Sequence, residues 1–150
     1  MIDYPDTSFL CAVYRVQARH LEAKAYRRTI QGPLAYTSLL EFEFLQALRL
    51  QVFLHASDVT KGLSLQQADQ IAADWDADIA AGLLQQVSYD AEAVNKLART
   101  YSDLYTIRGG HRSLDILHVA TAVHLGAKQF LTFDARQKTL AQTAGMTVPF

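Results

Sequence analysis

The chain has 150 residues, 50% of them hydrophobic and 19% charged, enough for one domain with a full core and too apolar for a disordered or low-complexity protein. Its 14 Lys+Arg against 15 Asp+Glu leave a net charge of −1, which excludes a generic polycation that coats nucleic acid. A single cysteine, Cys11, excludes an internal disulfide framework. No apolar run approaches the roughly 18 residues that a membrane helix requires, so no membrane association and a cytoplasmic location are expected.

In chain order, Ile2 to Asp6 reads as a first strand, and Thr7 and Ser8 stand as caps for a helix through Val13. A second helix runs from about His20 to Ile30 and stops at Gly32-Pro33, before a brief strand from Leu34 to Tyr36. Ser38 and Glu41 form a capping-box pattern that opens a long helix to about Leu54, and Ser64 with Gln67 repeats it for a helix to about Ala81. Leu83 to Val87 is a third strand, and Asp90 caps a helix to about Tyr105. Ser113 to Leu125 is helical, with Gly126 at its end. Gln129 to Thr132 is a fourth strand, Arg136 to Ala144 a last helix, and Met146 to Val148 a short fifth strand. Strands separated by helices predict one α/β domain over 1–150, a three-layer α/β/α sandwich with a mostly parallel sheet. Ligands of such sheets bind outside the carboxyl ends of the strands.

Three aspartates fall at that edge: Asp6 ends the first strand, Asp134 follows the fourth, and Asp115 lies in the first turn of a helix. An Asp at a helix start ordinarily caps it or complements its dipole. Here Thr7, Ser8 and Ser113 offer uncharged caps nearby, which leaves the acids open to another use. Glu43 adds a fourth carboxylate, because its helical neighbours Leu39, Leu40, Ala47 and Leu50 place it on a largely apolar face. Glu41, the nearby alternative, has a structural role in the capping box. Carboxylates gathered at one edge repel each other unless a cation joins them, and all-oxygen ligands select Mg²⁺ or Mn²⁺ over zinc. Such a site suits hydrolysis of a phosphodiester, in which the metal generates hydroxide and stabilises developing charge.

Four segments resemble motifs of the PIN domain, in order and across nearly the whole chain. They are Asp6-Thr7-Ser8-Phe9-Leu10, the stretch from Thr37 to Arg49 around Glu43, Arg112-Ser113-Leu114-Asp115 continuing to Ala120, and Phe130-Leu131-Thr132-Phe133-Asp134. The likeness is greatest to VapC-like toxins of bacterial toxin–antitoxin pairs. It implies a three-layer α/β fold whose quartet Asp6, Glu43, Asp115 and Asp134 holds one or two divalent metals and cleaves RNA. It also implies supporting hydroxyls at Thr7 and Thr132, a homodimer, and a cognate antitoxin that occupies the cleft. Pro5 departs from the apolar residue usual before the first aspartate. Proline cannot donate in a central ladder, so the strand must end or bulge there.

Arg112 is a candidate contact for a substrate phosphate, set against an ordinary surface arginine pairing with a neighbour. The basic run Arg15, Arg19, Lys24, Arg27 and Arg28 reads as a solvated helix face rather than an RNA track. His118 reads as a core or supporting residue, and Trp75 as a candidate for a dimer or partner surface. Two other readings compete with a metal-dependent ribonuclease. A catalytically silent PIN-like module that binds RNA or protein should have lost at least one acid. Phosphoryl-handling α/β domains need acid patterns that Asp6-Thr7-Ser8 and Val87-Ser88-Tyr89 do not supply.

Overall fold

Among the described residues every strand is three residues long and takes a parallel partner far away in sequence. The order is β1 (Asp3–Pro5), α1 (Thr7–Tyr14), α2 (His20–Arg27), β2 (Leu34–Tyr36), α3 (Ser38–Ser57), α4 (Leu65–Ala80), β3 (Leu84–Gln86) and α5 (Ala91–Tyr101). A π-helical turn (Ser102–Thr106) follows, then α6 (Ile107–Gly109), α7 (Ser113–His124), β4 (Gln129–Leu131) and α8 (Ala135–Thr143). The computed structural model describes residues 2–150. It resolves into two compact units, Met1–Phe9 with Val87–Phe150, and Leu10–Gln86. Among the described residues, no helix is long and apolar enough to cross a membrane.

In the first unit β1 pairs with β4 in the register Asp3↔Gln129, Tyr4↔Phe130 and Pro5↔Leu131. The strand ends at Pro5. Its successor restores the ladder, since the Asp6 N–H donates to the Leu131 carbonyl at 2.9 Å. Alternation along a strand then turns the proline nitrogen away from β4, so no ladder bond is lost on that side. Tyr4, Phe9, Phe130, Leu131, Val119 and Leu140 are buried around this pair, with the Tyr4 and Phe130 rings stacked at 5.8 Å. The expected fifth strand shrinks to a single parallel bridge between Thr147 and Gln129. The helix expected to reach Tyr105 leaves α-helical register at Ser102, where the π-helical turn begins.

In the second unit β2 pairs with β3 in the register Leu34↔Leu84, Ala35↔Gln85 and Tyr36↔Gln86. Its core is aromatic. Trp75 is fully buried, with ring centroids 4.9 Å from Phe44, 5.0 Å from Tyr36 and 5.8 Å from Tyr14. The reading of Trp75 as a partner surface is therefore corrected: its spacing from Ala68 and Ile71, both buried, puts it on the inward stripe of α4. The cap of α3 also differs from expectation. Thr37, one residue earlier than Ser38, takes the N-cap position and accepts from the Leu40 N–H at 3.2 Å. Glu41 is thereby free to accept from the Trp75 indole N–H at 3.3 Å, which satisfies the polar edge of a buried ring. At α4 the Ser64–Gln67 capping box forms as its sequence predicts.

Phe44→Ala removes the ring nearest to Trp75, and truncation of a buried Phe costs about 3–5 kcal/mol. The denaturation midpoint should fall accordingly. Emission from Trp75, the chain's single tryptophan, should shift to the red in the native state as water reaches the gap.

Candidate active site

Asp6 stands one residue beyond β1 as the N-terminal cap of α1, and its carboxylate has no exposed surface. Three donors hold it. The Phe9 N–H donates to Oδ1 at 2.9 Å, the Ser8 hydroxyl donates to Oδ1 at 2.7 Å, and the Thr132 hydroxyl donates to Oδ2 at 2.5 Å. Each hydroxyl has only one proton to give, so each must accept elsewhere. Ser8 Oγ takes the Phe133 N–H at 2.9 Å, and Thr132 Oγ1 takes the Asp134 N–H at 2.9 Å. The direction of every bond is thus fixed by the backbone N–H groups at one end and converges on Asp6 as acceptor.

Burial pushes the Asp6 carboxyl up to about 6, against the pull of the Thr132, Ser8 and Phe9 donors and of His118. His118 is itself fully buried, with Nδ1 3.0 Å from the Tyr4 hydroxyl, which places it behind the site as a supporting residue.

Asp134 caps α8, accepting from the Arg136 and Gln137 N–H groups at 2.8 Å and 3.0 Å, while about a third of its side chain stays exposed. Asp115 lies at the third position of α7, nearly buried, and accepts from the Arg112 backbone N–H at 3.4 Å. The Arg112 guanidinium joins these two acids, with Nε 3.1 Å from Asp115 Oδ2 and Nη2 3.9 Å from Asp134 Oδ2. All three aspartates therefore also do the work of helix termini, which Thr7 and Ser113 do not do for them. The first unit links them in series: Asp6 to Thr132, Thr132 to the backbone of Asp134, and Asp134 through Arg112 to Asp115. Thr7 opens α1 beside Asp6. Glu43 lies on α3 of the other unit, half-buried, one residue before the buried Phe44.

Ser8 was legible only as a cap; a hydroxyl two residues beyond a strand-end aspartate is the signal that marks it as a holder of that carboxylate. Among the described residues, no three His, Cys, Asp or Glu side chains group as a ready metal cage. The donor chemistry nevertheless fits a hard divalent cation. The acids offer oxygen only, and one guanidinium already spans Asp115 and Asp134, so the pair lies within reach of a shared positive charge.

A model of the PIN domain family matches residues 4–143 of the chain. No curated protein matches the sequence with significance. Among solved structures, VapC20 of Mycobacterium tuberculosis, a toxin that cleaves the sarcin-ricin loop, is 16% identical and superposes with a TM-score of 0.69 over 97% of this chain and 96% of that one. FitAcB of Neisseria gonorrhoeae is 15% identical, with a TM-score of 0.67 over 98% of this chain and 96% of that one. At these identities the likeness is one of fold: α/β, with parallel strands joined through helices.

The raised value of Asp6 has a defined sign. Its folded value lies above the unfolded one of 3.8, so the group favours folding fully below pH 3.8 and that contribution disappears as pH rises through about 6. In carbon-detected NMR the Asp6 carboxyl should titrate near pH 6. Thr132→Val deletes a donor to the charged form and should move that midpoint upward; an unmoved midpoint shows that the hydroxyl does not hold the carboxylate.

Proposed function

This chain belongs to the PIN domain family, and on that premise we propose that it is a Mg²⁺- or Mn²⁺-dependent endoribonuclease, the toxin of a toxin–antitoxin pair. The observation that carries the reading is the series Asp6, Asp134 and Asp115, tied together by Thr132 and Arg112 at the carboxyl ends of β1 and β4. A family match running from 4 to 143 supports a single PIN-like domain over 1–150.

In this reading Asp6, Glu43, Asp115 and Asp134 hold the cation, and Thr7 and Thr132 support them. Glu43 is included on the likeness of its motif. When bound, a divalent cation lowers the pKa of water and stabilises the negative charge that develops on a phosphodiester under attack. The chain's own residues do the rest. Ser8, Thr132 and the Phe9 N–H keep Asp6 an acceptor, and hence a ligand, although burial favours its protonation. Arg112 neutralises Asp115 and Asp134 in the absence of a cation. With a cation held by these acids, Arg112 would be the residue to meet a substrate phosphate, whose oxygens a guanidinium matches in fork geometry. The cognate antitoxin and the homodimer belong to the same reading, supported by the VapC-like motifs.

A second reading, a catalytically silent PIN-like module that binds RNA or protein, draws on the bridging Arg112 and on the lack of a ready cage among the described residues. The two separate cleanly. Purified protein free of antitoxin should cut total RNA or tRNA into discrete fragments with Mn²⁺ or Mg²⁺ and not with EDTA. Asp6→Asn and Asp115→Asn should each lower the rate by at least about 100-fold, the scale of losing one charge-stabilising group from a transition state. Metal binding without any cleavage favours the silent module; neither binding nor cleavage sinks the quartet.

Arg112 supplies an independent check. Millimolar Mg²⁺ or Mn²⁺ should raise the melting temperature, because a ligand of the native state alone stabilises it. The increment should be larger in Arg112→Ala, where the cation no longer competes with a guanidinium.

A further inference from the structure

Three phenylalanines from separate stretches of the first unit meet as one cluster: Phe9 on α1, Phe133 in the β4–α8 connection, and Phe150. Ring centroids lie 4.5 Å apart between Phe133 and Phe150, 5.6 Å between Phe9 and Phe150, and 6.0 Å between Phe9 and Phe133. At such separations aromatic pairs attract beyond the gain from burial. Phe9 is fully buried, and Phe133 and Phe150 are half-buried. Phe150 is also held through its main chain, because the Lys138 ammonium donates to its carbonyl oxygen. Lys138 stands on α8 one turn beyond Asp134.

The backbones of two of these residues belong to the network that holds Asp6. The Phe9 N–H donates to Asp6 Oδ1 at 2.9 Å. The Phe133 N–H donates to Ser8 Oγ at 2.9 Å, which leaves the Ser8 proton for Asp6 Oδ1. Phe133 also lies between Thr132, whose hydroxyl donates to Asp6 Oδ2, and Asp134, whose N–H orients that hydroxyl. Asp6 therefore keeps its donors only while residues 8–9 and 132–134 keep their separation. Strand pairing fixes that separation as far as Leu131, where β4 ends. Past that point a shift of about 0.5 Å carries a good bond beyond the usual limit of about 3.2 Å. The Phe150 ring packs on Phe9 and on Phe133, and so spans the two segments where the ladder no longer does.

We propose that Phe150 is a positioning residue for the candidate active site: its ring, tied to α8 by Lys138, clamps Phe9 and Phe133 and thereby fixes the donors that aim the Asp6 carboxylate. It rests on the reading of Asp6 as a ligand of the divalent cation, and adds to it a support that acts through the backbone. Truncation of the ring leaves Phe133 free to shift, and water then competes for the Thr132 hydroxyl, which is buried in the native state. A role in core packing alone predicts lower stability and nothing more.

The test combines amide hydrogen exchange, recorded without metal, with Mn²⁺ binding, both on the purified full chain in the absence of RNA. Phe150→Ala should speed exchange of the Phe9, Phe133 and Asp134 amides by at least about 10-fold relative to the Val119 amide of α7. It should weaken Mn²⁺ binding by about 10-fold, the lower end of what loss of an outer support costs a metal site. Phe150→Leu, which keeps apolar bulk against both rings, should stay within about 3-fold of the wild type in both measurements. Lys138→Met should move both in the direction of Phe150→Ala by a smaller factor, and it decides the matter if Phe150→Ala does not fold. Val94→Ala, a buried change on α5, which carries none of the quartet, should lower the melting temperature and leave Mn²⁺ affinity unchanged. Unaltered exchange at Phe9, Phe133 and Asp134, or an equal loss of Mn²⁺ affinity in Val94→Ala, overturns the clamp and leaves the nuclease reading standing. A wild-type chain that binds no Mn²⁺ removes the cation reading, and the exchange rates then decide the clamp by themselves.

Discussion

A carboxylate with no exposed surface is costly to bury, and the ends of two strands and the starts of two helices are arranged around the donors that hold it. Asp6 ends β1 and starts α1; Thr132 and Asp134 end β4 and start α8. Taking an ion out of water costs several kcal/mol even after relaxation, and only good hydrogen bonds offset that. Three donors converge on Asp6, and the two hydroxyls among them are oriented by backbone N–H groups from the β4–α8 connection. The parallel pairing of β1 with β4 is what brings residues 6 and 132 together, so strand register and site geometry are one constraint.

That constraint works against stability. Burial raises Asp6 to about 6, so near neutral pH the fold carries a charge it would be more stable without. Asp115 and Asp134 are instead joined by the one guanidinium of Arg112. The second unit contains no such conflict. Its aromatic cluster around Trp75 is satisfied internally, down to the indole N–H on Glu41.

The sequence sets capping against another use of these aspartates, and the structure gives all three a place at a helix start. A carboxylate at a helix N-terminus is stabilised by the free N–H groups and the dipole there. Asp6 and Asp134 cap α1 and α8, and Asp115 accepts from the backbone at the start of α7. Capping is the means by which the acids are kept in place, and exposure of part of Asp134 leaves oxygen available to a ligand.

By itself the sequence determined the α/β class, the positions of most elements and the four candidate acids, because apolar periodicity, cap residues and Gly-Pro stops are local signals. It also identified the family, since its motifs lie at the strand ends where that local grammar is strictest. Tertiary structure decided the rest. Trp75 turned inward because Tyr14, Tyr36 and Phe44 meet around it, and Thr37 took the cap in place of Ser38, which leaves Glu41 to the indole. Thr132 became a holder of Asp6 through a contact between residues distant in sequence, brought together by the pairing of β1 with β4. Hydrogen-bond direction and leftover acceptor capacity are properties of assembled networks, and a chain read one window at a time does not contain them.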